Sequence, residues 1–316
     1  MSDFCDIVIA GAAIIDIPVV PADLSVFSRT STPAEHIIMT SGGDAMNEAL
    51  ILSQLGKKVR LVTRIGCDDA GEYIKNRCIS AHIDTRYFHE IQGLDTGVNV
   101  VLVDENGERR FFTNPNGSLR ALQTQDITPQ CLNHAKIFCL ASIFVFPLIH
   151  PDDLEHIFHT AKQQGLITCA DMTSPKNGET VRDLAPALHH LDYFFANFDE
   201  AKQLTGCFDP YAMADCLLQT GVKHVIIKLG ADGCLIASND IREHIPACPN
   251  TNCIDTTGAG DNFAAGFFAA LLDGYSFIEC ARRANACAAI SVESVGATTG
   301  VCNAQQVQDK YQNAYC

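Results

Sequence analysis

The amino-acid sequence predicts an α/β protein built around a mainly parallel sheet. Short β-branched runs alternate with amphipathic helical patterns along the chain, and this alternation is typical of parallel strands joined by helices that cover both faces of the sheet. The 316 residues are 47% hydrophobic, and they contain no internal repeat, low-complexity tract or linker. We therefore expect a single domain over residues 1–316 with a sizeable core.

The predicted strands are short and apolar, as buried strands are. They cover Ile7–Ala10, Val59–Thr63, Ile137–Ala141, Ile167–Ala170, Tyr193–Ala196 and Val225–Lys228. The predicted helices lie between most of these strands, at Asp44–Leu55, Ala70–Ser80, Asp152–Gln164 and Asp199–Leu204. This spacing favours a layered sandwich with helices on both sides of the sheet.

Two regions depart from the alternation and predict a small second sheet. Residues 17–41 contain three prolines and the strand-like His36–Met39. Residues 84–116 are predicted to form consecutive strands around a turn at Asn106–Gly107. We expect these two insertions to form a β lid that stands off the main body over a cleft, because such a flap suits a reaction that must exclude water.

Charge and hydropathy exclude several classes of partner. The chain has 37 acidic and 22 basic residues, a formal net charge of -15, and no run of Lys and Arg that could follow a phosphate backbone. We therefore expect neither nucleic acid nor an anionic membrane as a partner.

The sequence also lacks the patterns of secretion and membrane insertion. Its first residues show neither a basic region nor a small-residue cleavage site, and the longest apolar stretch, Ile137–Ile149, is interrupted by Ser142 and Pro147. We expect a cytoplasmic protein.

Cysteine and histidine spacing argues against a zinc site. The 15 cysteines include no C-x-x-C pair, and the 11 histidines include no H-E-x-x-H. Most of the cysteines lie in apolar runs, where they are expected to be small buried hydrophobic residues in a reducing compartment.

The stretch IDTTGAGDNFAAG, residues 254–266, carries the strongest chemical signal. Gly258, Ala259 and Gly260 would open a helix, where free backbone N–H groups and the helix dipole attract an anionic group such as phosphate. A glycine-rich cap on a packed helix is the alternative. Asp261 favours chemistry over a cap, because a carboxylate beside a phosphate site makes sense as a general base for a hydroxyl that attacks phosphorus.

Other nucleotide-binding patterns are absent from the sequence. It contains no G-x-x-x-x-G-K-[ST], and the first strand is followed by GAAIID rather than by G-x-G-x-x-G. These absences argue against a Walker A loop and against a dinucleotide-dependent dehydrogenase.

Two motifs resemble signatures of the ribokinase-like, or PfkB-type, carbohydrate kinases. DTTGAGD at 255–261 is similar to the family's C-terminal signature, and SGGDAMNEA at 41–49 is similar to its N-terminal Gly-Gly-x-x-x-Asn signature. The resemblance covers essentially the whole chain and is greatest to a group of bacterial sugar kinases. It implies a ribokinase-like three-layer sandwich with a β lid, and ATP-dependent transfer of the γ-phosphate to a hydroxyl of a monosaccharide or sugar acid.

The resemblance assigns catalytic and sugar-binding roles. Asp261 matches the catalytic base, and residues 258–260 match the anion hole for the phosphoryl group in transit. The positions that match sugar-binding residues are Asp16, Gly42, Gly43 and Asn47. Taken singly, Asp16 could be a turn acid and the glycine pair a plain strand-to-helix turn.

It also assigns the nucleotide and magnesium positions. Asn197 and Glu200 in ANFDEAK match an Asn-x-x-Glu motif that positions magnesium-bound water and phosphate, and an acid-rich first helical turn is the alternative. Lys228, Gly230 and Gly233 in KLGADGC match the ATP loop, for which a plain hairpin is the alternative. Asn285 matches a position near the adenine, or else a helix-packing residue.

A loop near the C-terminus resembles the family's monovalent-cation loop. The resemblance implies that a potassium ion next to the anion hole would be held by Asp255, Thr257, Ser291, Ser294 and Gly296. Asp255 would then fix the loop through a cation and would not touch the substrate.

The residues that bear on the substrate depart from the ribose-specific pattern. Asp44–Met46 stands where ribose-specific members carry Lys-Gly-Ala, which argues against ribose, and Asp44 resembles the pattern of kinases for keto-deoxy sugar acids. In the predicted lid, Arg109 could pair with a sugar carboxylate, and Asn116 lies nearby. The alternative for Arg109 is an ordinary charged residue on an exposed strand.

Two other functions remain open on the same fold. A nucleoside kinase would want aromatic stacking partners at the sugar site, and a noncatalytic sugar-sensing protein would not need the base. The resemblance also implies a homodimer, because exposed lid strands of the family pair between subunits.

Overall fold

The computed structural model of the protein describes residues 4–105 and 109–316, which form two β sheets flanked by helices. The strands are β1 (Ile7–Ala10), β2 (Ile14–Val20), β3 (His36–Ile37), β4 (Thr40–Gly42), β5 (Val59–Gly66), β6 (Asp84–Ile91), β7 (Val98–Val103), β8 (Arg109–Thr113), β9 (Ile137–Ile143), β10 (Ile167–Met172), β11 (Tyr193–Asn197), β12 (His224–Lys228), β13 (Cys234–Ala237) and β14 (Arg242–Ile245). The helices are α1 (Asp44–Gln54), α2 (Asp69–Ser80), α3 (Pro129–Leu132), α4 (Pro151–Gln163), α5 (Val181–Leu188), α6 (Phe198–Thr205), α7 (Pro210–Leu218), α8 (Ala259–Leu272), α9 (Phe277–Ser291) and α10 (Ala304–Tyr315).

The large sheet is mainly parallel, as the sequence predicts. Across the described ranges it has nine strands in the order β14-β13-β12-β11-β10-β9-β1-β5-β6. The strands from β12 to β6 run parallel, and β13 and β14 add an antiparallel edge. All six predicted strands are present, five of them one to three residues longer than predicted.

Alternate residues of the central strand β1 pack into two separate cores. Ile7 and Ile9 belong to a hydrophobic cluster that includes α1, α8 and α9, whereas Val8 and Ala10 belong to a second cluster that includes α4, α5 and α7. A strand buried on both faces shows no polar alternation, which explains the continuous apolar run IVIA. The fold is therefore the expected three-layer α/β sandwich.

The small sheet differs from the predicted lid in its boundaries. It has the order β3-β2-β7-β8, with β4 also paired to β2. It starts at Ile14 rather than at residue 17, and the predicted strand His36–Met39 forms only His36–Ile37. The predicted turn at Asn106–Gly107 lies outside the described residues.

The larger correction concerns β6, which was expected in the lid. It pairs in parallel with β5 at the edge of the large sheet, and Phe88 on this strand is 9% exposed. Residues 84–91 alternate partly buried and exposed positions, a pattern that fits either sheet. Whether β6 joins the large or the small sheet depends on the strand with which it pairs, and the hydrophobic periodicity of β6 does not encode that strand.

None of the helices in the described part of the chain combines the length and the apolar character that crossing a bilayer would need.

Candidate active site

A cavity of about 340 Å³ lies where the N-termini of α1 and α8 approach the small sheet. Its lining includes residues 256–261, the start of α1, and the carboxyl end of β9. The small sheet contributes Asp16 from β2, Asn99 from β7 and Phe111 from β8. The position at the carboxyl ends of parallel strands is where α/β proteins bind their ligands.

The loop before α8 carries the residues that the sequence predicts to bind an anion. Gly258 has φ 72°, and no side chain caps the helix, so the first amides of α8 face the cavity without a side-chain acceptor. A Cβ atom at Gly258 would lie 2.6 Å from the Cβ of Ala297. Glycine is therefore required at this position both by its left-handed backbone and by the close approach of residue 297.

Asn262, which the sequence reasoning missed, holds this loop from behind. Its Nδ2 donates to the carbonyl oxygens of Gly258, at 2.8 Å, and Ala297, at 2.7 Å. The side chain is fully buried, so the amide joins the anion site to the segment at 297. This bridge keeps the backbone N–H groups fixed before any ligand arrives.

Asp261 lies in the first turn of α8 and lines the cavity. Its Oδ2 accepts a hydrogen bond of 2.8 Å from Nδ2 of Asn47. Burial raises the pKa of Asp261 well above its ordinary value, and the nearby Asp44 raises it further, whereas Asn47 and Lys228 lower it. A buried carboxylate with a raised pKa is a strong proton acceptor.

The two glycines at the end of β4 make room for Asp16. A Cβ at Gly42 would lie 2.2 Å from Oδ2 of Asp16, and one at Gly43, where φ is 87°, would lie 2.5 Å from the carbonyl oxygen of Ala12. The other carboxylate oxygen of Asp16 accepts a hydrogen bond of 2.9 Å from Nδ2 of Asn99. Of the predicted sugar-binding residues, Asp16, Gly43 and Asn47 thus line the cavity, and Gly42 lies against Asp16.

Asp44 lines the same cavity, as predicted for a substrate residue. Burial, and then the charge of Asp171, raise the pKa of Asp44 to about 6. Asp44 is the first residue of α1 and Asp261 lies in the first turn of α8, and both residues line the cavity.

Lys228 lies behind the anion site. Its Nζ is 2.6 Å from Oδ2 of Asp171, and a Cβ at Gly260 would lie 3.4 Å from the same ammonium group. Burial alone would lower the pKa of Lys228, but Asp171 and Glu200 outweigh it and raise the pKa. A charged ammonium group therefore stands next to the amides of the anion site.

Asn197 and Glu200 form a capping box at the start of α6. The backbone N–H of Asn197 donates to Oε2 of Glu200 at 2.8 Å, and that of Glu200 donates to Oδ1 of Asn197 at 2.9 Å. The motif thus forms the N-terminus of a helix. Burial raises the pKa of Glu200 to about 7, and the charge of Lys228 opposes this increase.

The predicted ATP loop is a hairpin between β12 and β13. Gly230 has φ 61° with open space around its Cα, whereas a Cβ at Gly233 would lie 2.1 Å from the carbonyl oxygen of Ile245. Asn285 is buried, and its Nδ2 donates to the carbonyl oxygens of Ile245 and Pro246. These contacts give the amide group of Asn285 a packing role.

Arg109 does not reach the cavity as the sequence predicted. It forms an ion pair through Nη2 with Oδ1 of Asp255, a residue of the predicted potassium loop. Oδ2 of Asp255 accepts a hydrogen bond of 2.8 Å from the backbone N–H of Gly296. Asn116 is exposed and is not part of the cavity lining.

Of the other predicted potassium ligands, Thr257 and Gly296 bind the carboxylate of Asp255 directly. Thr257 donates to Oδ1 of Asp255 from its backbone N–H at 2.9 Å and from its Oγ1 at 2.6 Å. Ser291 ends α9 and is fully buried, and Ser294 follows in the turn that donates back to the carbonyl oxygen of Ser291.

Comparison with known proteins identifies the family. Residues 6–304 match the model of the pfkB family of carbohydrate kinases. The chain belongs to this family. The kinase is 29% identical over 302 residues to ribokinase of Mus musculus, which covers 92% of this chain and 90% of that protein. It is 24% identical over 269 residues to 2-dehydro-3-deoxygluconokinase of Bacillus subtilis (strain 168), covering 82% of each.

The fold is shared with solved kinase structures. A putative ribokinase II from E. coli, crystallised in complex with ATP and Mg²⁺, matches with a TM-score of 0.82 at 20% identity over 98% of this chain and 99% of that one. Family membership makes this protein a carbohydrate kinase, a phosphotransferase whose acceptor is a sugar.

Three site residues of this kinase were absent from the sequence prediction. Asp171 was available to it, because an acid at the carboxyl end of a buried parallel strand lies where ligands bind. Asn99 reaches Asp16 only through pairing of β2 with β7, and Asn262 acts through the distant segment at 297, so neither has a local signal.

Proposed function

We propose that this kinase transfers the γ-phosphate of ATP to a hydroxyl of an uncharged monosaccharide, with Asp261 as the general base. The observation that supports this proposal most is the placement of Asp261 in the same turn as residues 258–260, in one cavity with Asp16 and Asn47. Base, anion site and hydroxyl-binding groups would then act on one substrate.

In the proposed reaction, Asp261 takes the proton of the acceptor hydroxyl. The hydroxyl oxygen forms a bond to the γ-phosphorus as the bond from that phosphorus to the bridging oxygen of ADP breaks. The hydrogen bond from Asn47 keeps the carboxylate of Asp261 in place. The amides of residues 258–260 stabilise the charge on the transferring group.

Lys228 adds a full positive charge to this anion site in the proposed mechanism. Its ammonium group lies beside Gly260 and is held there by Asp171. An ammonium fixed in a buried site stabilises a phosphoryl group more than one in water does, because the effective dielectric constant is lower.

The proposed cofactors are ATP with Mg²⁺, and the side chains present fit them. Mg²⁺ prefers oxygen ligands. Glu200 and Asp171 supply carboxylate oxygens, and both groups act on the pKa of Lys228. Bound Mg²⁺ would neutralise charge on the ATP phosphates. Lys228, with Gly230 and Gly233 of the hairpin, would bind the nucleotide, and we expect Asn197 to support Glu200. ATP as the donor is consistent with a cytoplasmic kinase.

The charge of the cavity argues for a neutral substrate over a sugar acid. Among the described residues that line it, Asp16, Asp44 and Asp261 carry carboxyl groups and none is a lysine or arginine. Arg109, which a sugar acid would need, is paired with Asp255. A carboxylate in the substrate would therefore meet like charge without a cation, which is unfavourable in a partly buried site.

An ADP-release assay over neutral monosaccharides, sugar acids and nucleosides tests the proposal. We expect turnover with one or more neutral monosaccharides and little with the corresponding acids. Turnover confined to nucleosides would instead favour a nucleoside kinase, in which Phe111 at the cavity wall would stack on the base. No ADP release with any acceptor, together with sugar binding by calorimetry, would favour a sensing protein.

We also propose that a second copy of the chain covers the small sheet. Several apolar side chains on and beside this sheet are exposed, among them Phe27 at 77%, Ile37 at 67% and Phe112 at 55%. Exposed apolar groups of this kind mark interaction surfaces. Light scattering should show a homodimer that Ile37→Lys weakens, and a wild-type monomer at assay concentrations would exclude it.

A further inference from the structure

Arg109 ties the small sheet to the loop that begins the anion site. It lies on β8 and pairs with Asp255, and the two side chains are 26% and 15% exposed. Asp255 precedes by three residues the left-handed Gly258 from which α8 begins. This ion pair therefore connects the small sheet to the loop that precedes α8.

The carboxylate of Asp255 is fully engaged in this arrangement. Oδ1 accepts from Arg109 and from the N–H and Oγ1 of Thr257, and Oδ2 accepts from the N–H of Gly296. Burial would raise the pKa of Asp255, but these donors and the guanidinium outweigh it and lower the pKa. The group is therefore an ionised carboxylate whose charge is already balanced.

The residues at this loop do not fit a potassium ion as they stand. A potassium ligand must offer an oxygen lone pair, and the Asp255 oxygens are taken up by four donors. A guanidinium in contact with Asp255 would also repel a second cation at short range. The potassium expected from the sequence motif thus conflicts with Arg109.

We infer that Arg109 takes the place of a monovalent cation at Asp255, so that the kinase works without potassium. The inference rests on the proposed kinase reaction and adds a positioning residue to it. Arg109 acts through Asp255, whose bonds to Thr257 and Gly296 set the path of residues 256–258 ahead of the anion site. It touches neither substrate nor phosphate.

Turnover in sodium and in potassium chloride at equal ionic strength tests the inference. The acceptor is the monosaccharide found in the ADP-release assay. Wild type should give rates equal within about 1.5-fold in the two salts, because its cation is built in. Arg109→Gln should lose about tenfold in sodium, since a misplaced catalytic loop costs rate, and potassium should restore most of that loss. Arg109→Lys keeps the charge and should behave as wild type.

Arg110→Gln is the matched control. Arg110 is the next residue on β8 and is exposed, so its replacement should change neither the rate nor the response to potassium. Melting temperature gives a readout that needs no acceptor: potassium should raise that of Arg109→Gln but not that of wild type, relative to sodium.

Three results would overturn the inference. One is wild-type turnover that rises several-fold in potassium. Another is an Arg109→Gln variant that is as active in sodium chloride as wild type is. The third is a variant whose rate is lower in sodium and is not restored by potassium, and whose melting temperature potassium does not raise. Absence of turnover with every acceptor would instead defeat the proposed function, and the melting experiment would then decide about Arg109 alone.

Discussion

Two buried charge clusters in this protein are built in opposite ways. The first surrounds Arg60, whose side chain is 2% exposed. Its Nε donates to Asp84 at 2.8 Å, and its Nη1 donates to the carbonyl oxygens of Cys131 at 2.7 Å and Asn133 at 2.9 Å. Burial opposes the ionised form of Asp84, yet Arg86 and Arg60 lower its pKa to about 2.

The second cluster surrounds Lys228 at the candidate active site. Beyond its partner Asp171, the charges that act on one another here come from Asp44, Glu48, Glu200 and Asp261. Burial raises the pKa of each of these four carboxyl groups. Both oxygens of Glu48, which is 0% exposed, lack any hydrogen-bond partner among the described residues.

The difference separates charge that stabilises the fold from charge that is kept for a ligand. Around Arg60 each group satisfies another, so removal of one partner would leave a buried charge unpaired. Around Lys228 the carboxyl groups outnumber the cations, which costs stability until a cation enters. Raised pKa values in a cleft are typical of functional sites, which supports the proposed role of the second cluster.

Two aspartate substitutions should separate these roles most sharply. Asp261→Asn removes the proposed base, so kcat should fall by about 10³-fold, within the range that general-base catalysis supplies. The melting temperature should hold or rise, because a buried charge is removed. Asp84→Asn leaves Arg60 uncompensated, so the free energy of unfolding should fall by about 3 kcal/mol while kcat is kept. Near-normal turnover of Asp261→Asn would end the assignment of the base.

Lys228→Met should have the next largest effect. Loss of a fixed cation beside the amides of the anion site should lower kcat by about 10²-fold, with a smaller change in the KM for ATP. Lys223→Met is a suitable control, since that lysine pairs with Asp192 but is 61% exposed. A kcat of Lys228→Met within twofold of wild type would contradict the role in phosphoryl transfer.

The stability of the free protein should fall as pH rises. The pKa values of Asp44 and Glu200 are raised to about 6 and about 7 by burial. A carboxyl group whose pKa is higher in the folded than in the unfolded protein does not reduce stability at a pH below its unfolded-state pKa. Its effect is to lower the free energy of unfolding as the pH rises through its folded-state pKa. Asp84 acts in reverse, losing its contribution only as pH falls toward about 2.

We therefore expect the melting temperature to drop by about 2–5 °C between pH 5 and pH 8 at constant ionic strength. Calorimetry measures this slope, and Glu200→Gln should reduce it. A melting temperature that climbs through the same interval in wild type would show that other groups dominate.

The smallest effect is expected for Glu48→Gln. Burial, and then Asp171, raise the pKa of Glu48 well above its ordinary value, which favours the neutral form of this side chain. An amide of the same shape should change the free energy of unfolding by less than about 1 kcal/mol. Asp126→Asn is the contrasting variant, because Asp126 is as deeply buried but is paired with Arg64 at 2.7 Å and 3.0 Å.

For Asp126→Asn we expect a loss of about 3 kcal/mol, measured by urea unfolding. Equal losses in the two variants would mean that Glu48 is ionised and has a partner, against the contrast drawn between the two clusters.

The local parts of the fold and site could be predicted from sequence. The run IVIA at β1 and the Gly-Ala-Gly opening of α8 carry their structure within a few residues, and both lie where expected. Parts that depend on pairing at long range could not be predicted. Strand β6 belongs to the large sheet because its partner is β5, and only that pairing distinguishes it from a lid strand. Arg109 on β8 pairs with Asp255, a residue distant in sequence.

The contact between Gly42 and Asp16 also limits how the acceptor site can be redesigned. The missing side chain at position 42 is the space that the carboxylate of Asp16 fills, with 2.2 Å between its oxygen and an added Cβ. Any methyl group placed there would push Asp16 into the cavity and make it smaller. A library that varies Asp16 in search of new acceptors should therefore keep Gly42 constant, whereas varying Gly42 alone would screen for smaller sugars.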